Sequence, residues 1–155
     1  MVHLLLSSIL NYKVMTYTDF PVTANFMFSE LIHTNVKANN VPTDINVLFN
    51  LYESARKLQM LRDSVFNLPI RVNSGYRSFA VNKAVGGVRT SDHLKGFAFD
   101  IRVDKFRPFD VFGILLDYSK QNPGLFGQVI CYSTFVHVSF NRENHKNEFF
   151  CKDLL

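Results

Sequence analysis

Two imidazoles and one carboxylate stand out by type and spacing. His93 and Asp100 lie in S-D-H-L-K-G-F-A-F-D over 91–100, and His137 lies in F-V-H-V-S-F over 135–140. Two neutral imidazoles and a carboxylate make a ligand set suited to Zn2+, with a fourth position left open for water. An ion held in that way brings the pKa of its water toward neutrality and polarises a peptide carbonyl. The same residue types also serve as ordinary hydrogen-bonding groups, and spacing alone leaves both readings open.

Strands must position these residues. Phe97, Phe99, Ile101 and Val103 alternate with Ala98, Asp100 and Arg102, the period-two signature of a half-buried strand. Val136, Val138 and Phe140 likewise alternate with Phe135, His137 and Ser139. If the two strands share one sheet, Asp100 and His137 point into one cleft. A turn containing Gly96 then lets the preceding loop fold back, bringing His93 over the same point.

The remaining elements read as scaffold. Ser29 followed by Glu30 predicts a capped helical turn, and 34–42 reads as a loop. Thr43 or Asp44 caps a helix whose apolar stripe is Ile45, Leu48, Tyr52, Ala55, Leu58 and Leu61. Pro69 opens a strand over Ile70–Val72, and Ser78 caps a short helix over Phe79–Ala84 that Gly86-Gly87 ends. A helix over Pro108–Lys120 is followed by strands over Gln128–Tyr132 and Phe135–Phe140, joined at Ser133-Thr134. The predicted class is α+β, a small, mainly antiparallel sheet flanked by helices.

With 155 residues and 16 Phe but no Trp, the chain is long enough for one domain with a real core. The excess of 17 Lys and Arg over 13 Asp and Glu is scattered, without the basic runs that mark a nucleic-acid surface. Cys131 and Cys151 make no disulfide framework and are expected as free thiols, Cys131 within a buried strand. The opening M-V-H-L-L-L-S-S-I-L lacks the basic region and long apolar core of an export signal and is too short to span a bilayer. It is expected to be a first strand or a lead-in, and the product to be cytoplasmic. Tyr12, Val14, Tyr17 and Phe20 offer packing groups of ambiguous register, and His145 reads as a solvated histidine in a charged tail.

Several ordered motifs carry a resemblance. S-G-Y-R-S at 74–78, Val81-Asn82, Val85-Gly86-Gly87, S-D-H-L-K-G-F-A-F-D and V-H-V-S-F, with F-S-E-L at 28–31, resemble the zinc D-alanyl-D-alanine peptidase family, especially its short phage and bacterial members. The resemblance spans about 26–140, leaving 1–25 as an N-terminal extension and 141–155 as a tail. It implies a hedgehog/DD-peptidase-like fold, His93, Asp100 and His137 as zinc ligands, and a peptidoglycan stem peptide as substrate. It implies further that Arg77 holds a substrate carboxylate or carbonyl, with Ser91 as an added donor; an isolated Arg reads instead as a surface salt bridge.

One feature departs from the family. Members usually carry a Glu or Asp on the strand just before the last ligand, to move the proton from water to the leaving amine. Here 128–136 reads Q-V-I-C-Y-S-T-F-V, without a carboxylate. Tyr132 is the candidate substitute: a hydrogen-bond donor to an oxyanion, yet a poor base near neutral pH. Three readings follow: an active peptidase of endolysin or DD-carboxypeptidase type, plausibly phage-derived; an impaired zinc-containing module that binds peptidoglycan; and a virion or assembly protein whose site staples the fold.

Overall fold

The computed structural model describes residues 19–141, 143 and 147–152. The expected N-terminal strand or lead-in, with Tyr12, Val14 and Tyr17, and His145 lie outside them. The helices are α1 (Phe28–Leu31), α2 (Ile45–Leu61), α3 (Phe79–Ala84) and α4 (Pro108–Gln121). A π turn, Arg62–Phe66, extends α2, and a 3₁₀ turn, Asp92–Lys95, precedes the second strand. The strands are β1 (Ile70–Ser74), β2 (Ala98–Val103), β3 (Gln128–Cys131), β4 (Val136–Ser139) and β5 (Glu148–Cys151).

One sheet takes the order β1-β2-β4-β3-β5. Its pairings are antiparallel except β3 with β5, which run parallel. The mainly antiparallel sheet flanked by helices agrees with the expected class. Directly paired residues face the same side. Ser74, Asp100, His137, Ile130 and Phe150 therefore form one row across all five strands. The alternate residues Phe99, Val138 and Val129 are fully buried in the core, which α4 joins through Val111, Phe112 and Leu115 and α2 through Leu51, Ala55, Leu58 and Leu61.

Several local expectations are corrected. Ser29 does not cap α1: Met27 holds that position, its backbone N–H donating to the Glu30 carboxylate, while Ser29 donates to Asp19. Of the two candidate caps of α2, Asp44 takes the position, as expected of one of them, by accepting from the Asn46 backbone. The stripe of α2 rotates at its start, leaving Ile45 and Tyr52 exposed while Leu51 and Ser54 are buried, because the N-terminal turns supply one flank of an open apolar groove. Strand β2 is buried on both faces except at Arg102, since the turn bearing His93 and the side chains of His137 and Arg77 pack over Asp100. The presumed tail contains β5, which adds a fifth strand on the outer edge of β3.

Candidate active site

His93 is set by the turn that carries it. Gly96 closes the 3₁₀ turn at φ 77°, where its hydrogen replaces a Cβ that would lie 2.7 Å from the Val47 carbonyl oxygen of α2. The neighbouring Asp92 is buried and accepts from Ser139 Oγ at 2.5 Å and Asn141 Nδ2 at 2.7 Å, tying the turn to the end of β4. His93 is itself 2% exposed, and its Nδ1 lies 2.6 Å from the Gly75 carbonyl oxygen. A carbonyl only accepts, so Nδ1 carries the proton and Nε2 presents a lone pair.

That lone pair faces two other acceptors. His93 Nε2 lies 3.2 Å from Asp100 Oδ1 and 3.2 Å from His137 Nδ1, and those two atoms are 3.0 Å apart. Three such atoms repel one another unless a cation, proton or metal, lies among them. Tetrahedral zinc with bonds of about 2.0–2.1 Å places its ligand atoms roughly 3.3 Å apart, close to the triangle observed. The residues thus fit the ion in donor type, spacing and tautomer.

The electrostatics favour the same state. Burial pushes the Asp100 carboxyl up, but its contacts with His93 and then His137 outweigh that and hold the group well below the usual carboxylate range. Burial lowers the His137 pKa more than its bond to Asp100 raises it. An ionised carboxylate and a neutral imidazole are the forms a metal ligand needs.

Arg77 enters from the β1 side. A bulge between Val72 and Ser74 shifts the register so that Ser74 sits opposite Asp100. Arg77 Nε donates to Ser74 Oγ at 2.8 Å, and Nη2 donates to Asp100 Oδ2, the oxygen not engaged with the histidines. The surface salt bridge of an isolated Arg is therefore replaced by a half-buried pair with the central carboxylate. Arg77, Ser91 and Tyr132 all line one open cleft of about 530 Å³ around the triad. Tyr132 stands at its rim, its ring stacked on Phe135 at 4.6 Å.

Among the described lining residues the only carboxylates are Asp92 and Asp100, and both are engaged as above.

Some contributors escaped sequence reading. Asn40, in the loop after α1, donates to the Ile32 and Tyr76 carbonyls at 2.8 and 2.9 Å and accepts from the Ser78 backbone at 2.6 Å, clamping the segment that bears Gly75 and Arg77. An Asn in an Asn-rich loop gives no sign of this, since its partners are remote backbone groups. Phe150 and Lys152 of the presumed tail line the cleft from β5.

Comparison with known proteins adds two findings. The sequence model of a family described as peptidase M15 matches residues 24–139. A zinc D-Ala-D-Ala carboxypeptidase of Streptomyces albus G is 34% identical over 82 residues, which cover 50% of this chain and 31% of that protein. The chain therefore aligns with about a third of that relative's length.

Proposed function

The chain belongs to the peptidase M15 family, and on that premise we propose that it is a zinc-dependent peptidase cutting a D-amino-acid peptide bond in peptidoglycan stem peptides or cross-links. The observation that carries this reading is the triangle of His93 Nε2, Asp100 Oδ1 and His137 Nδ1 at 3.0–3.2 Å, open on one side to the cleft. Bound there, zinc supplies a Lewis acid and an acidified water. His93, Asp100 and His137 would hold it, and the Gly75 carbonyl and the Arg77 guanidinium fix the orientation of His93 and Asp100. Arg77 and Ser91 offer donors to a substrate carboxylate or carbonyl on one flank. Tyr132 offers its hydroxyl to the oxygen on which negative charge develops.

The organism supplying the gene is read as a phage and the role as an endolysin or DD-carboxypeptidase, with a cytoplasmic product that acts at the cell wall. No helix among the described residues is long and apolar enough to cross a membrane.

A second reading rests on a specific observation: no uncommitted carboxylate lines the cleft among the described residues. A protein that keeps its metal and binds stem peptides with little turnover would look the same. Release of D-alanine and of cross-link amines from purified peptidoglycan, on zinc-quantified protein with and without chelator, separates the two. Chelator-sensitive release supports the peptidase; zinc at one equivalent with no release from several wall types supports the binding module. If Tyr132 stabilises the oxyanion, Tyr132→Phe lowers kcat by about 10²–10³ with little change in KM, the loss typical of one such donor. An unaltered kcat removes Tyr132 from the chemistry.

A further inference from the structure

We infer that Lys152 and the aromatic shelf beneath it form an anion subsite, which makes the substrate an acidic peptide with a carboxylate on the flank of the metal triad opposite Arg77. This rests on the peptidase reading. Residues 148–152 lie beyond the family match, which ends at 139, so nothing in that match assigns them a role.

Topology places the two cations on opposite sides of the triad. Arg77 follows β1, at one edge of the sheet, while Lys152 follows β5, at the other edge. Asp100 and His137 stand between them on β2 and β4. Neighbouring strands are about 4.8 Å apart, so β5 lies roughly 10 Å beyond β4, about three residues of extended peptide. A peptide lying across the strands over the triad thus reaches both edges.

The shelf is built rather than incidental. The Lys152 backbone N–H donates to the Cys131 carbonyl at 2.8 Å, which continues the β3–β5 pairing and fixes where the side chain begins. Its ammonium lies 5.9 Å from the Tyr132 ring centroid and 5.8 Å from that of Phe150, so two ring faces hold it at the cleft wall. Tyr132 stacks on Phe135 in turn, and all four residues line the cleft. No carboxylate among the described residues pairs with Lys152, whereas Arg77 is engaged with Asp100. An ammonium held by aromatic faces in a cleft, without a carboxylate partner among the described residues, is suited to a substrate carboxylate.

The test uses zinc-loaded protein and a synthetic acidic stem peptide, with a set of analogues in which each carboxylate is amidated in turn; affinity is measured by calorimetry and cleavage by amine release. In the wild type, amidating one particular carboxylate is expected to weaken binding by roughly tenfold or more, the scale of a hydrogen bond between charged groups. Lys152→Gln should weaken the parent peptide equally and become indifferent to that amidation, while Lys152→Arg should retain the preference. Zinc content is measured in each variant to establish an intact triad. If Lys152→Gln discriminates among the peptides as the wild type does, Lys152 is only a ring-packed lysine and the subsite is overturned while the peptidase reading stands. If wild-type protein with full zinc neither binds nor cuts any of the peptides, both fail together.

Discussion

Gly75 does two jobs at the scale of single atoms. Its carbonyl fixes the His93 tautomer, and its α-carbon passes so close to α1 that an added Cβ would lie 2.2 Å from the Leu31 carbonyl oxygen. That oxygen already accepts from the Tyr76 backbone at 2.8 Å, so neither the end of α1 nor the segment after β1 can yield without losing the bond. Gly75→Ala must therefore shift the segment and with it the carbonyl that orients His93. The expected result is a destabilisation of about 1–3 kcal/mol from overpacking, together with a zinc affinity lowered by about 10- to 100-fold, the usual effect of losing an outer hydrogen bond to a ligand. Thermal denaturation and competitive zinc titration measure the two effects separately. Wild-type zinc affinity in this variant would show that the carbonyl does not orient the ligand. Around Gly75, sequence reading reached the residues whose chemistry is in their type: His93, Asp100 and His137 meet as expected, and Arg77 reaches the same cluster. It did not reach Gly75 or Asn40, because their contributions are a missing side chain and bonds to distant backbone, which local sequence does not encode.

At the scale of elements, what was legible follows from periodicity. The alternation about His137 and the cap at Ser78 are local patterns, and β4 and α3 form where those patterns lie. Strand β5 was not legible: Glu148, Phe149, Phe150 and Cys151 are too few to establish a period, and their pairing with β3 is parallel and non-local. The bulge in β1 was missed for a similar reason, since it is defined only by the register against β2. The position of β5 has a chemical signature that can be checked. It places Cys151 directly beside Cys131, the former exposed and the latter buried. Burial, and then the neighbouring Cys151, push the Cys131 thiol up to about 11. At pH 8 the thiolate is the reactive form, so native protein should take one iodoacetamide label, at Cys151, and a second only after unfolding. Peptide mapping by mass spectrometry reads the positions. Rapid labelling of Cys131 in native protein would mean that β5 does not cover it, and would also remove the support for the placement of Lys152.

At the scale of the whole molecule, the triad makes metal-free stability depend on pH, with a sign that can be worked out. The folded-state pKa of His137 is depressed, chiefly by burial. The unfolded chain therefore begins to take up a proton near pH 6.5 while the folded chain still excludes it, and stability falls as pH drops below that value. Asp100 is depressed as well, because its contacts with His93 and then His137 outweigh its burial. Its contribution is present above the unfolded value of about 3.9 and is lost only in stronger acid. Both shifts have the same sign, so the Tm of the metal-free protein should be level between about pH 7 and 8, begin to decline near pH 6.5 and decline again below about pH 4, while the raised Cys131 thiol adds a separate decline above about pH 8.5. The steepest slope that one such group can add is about 1.4 kcal/mol per pH unit. His137→Gln removes the first decline and leaves the second, and differential scanning calorimetry across the range distinguishes the variants. Zinc should raise Tm most at neutral pH and progressively less in acid, where protons compete for the same nitrogens. An unchanged first decline in His137→Gln would place the titrating group elsewhere in the chain. A zinc effect independent of pH would show that these nitrogens are not the ligands.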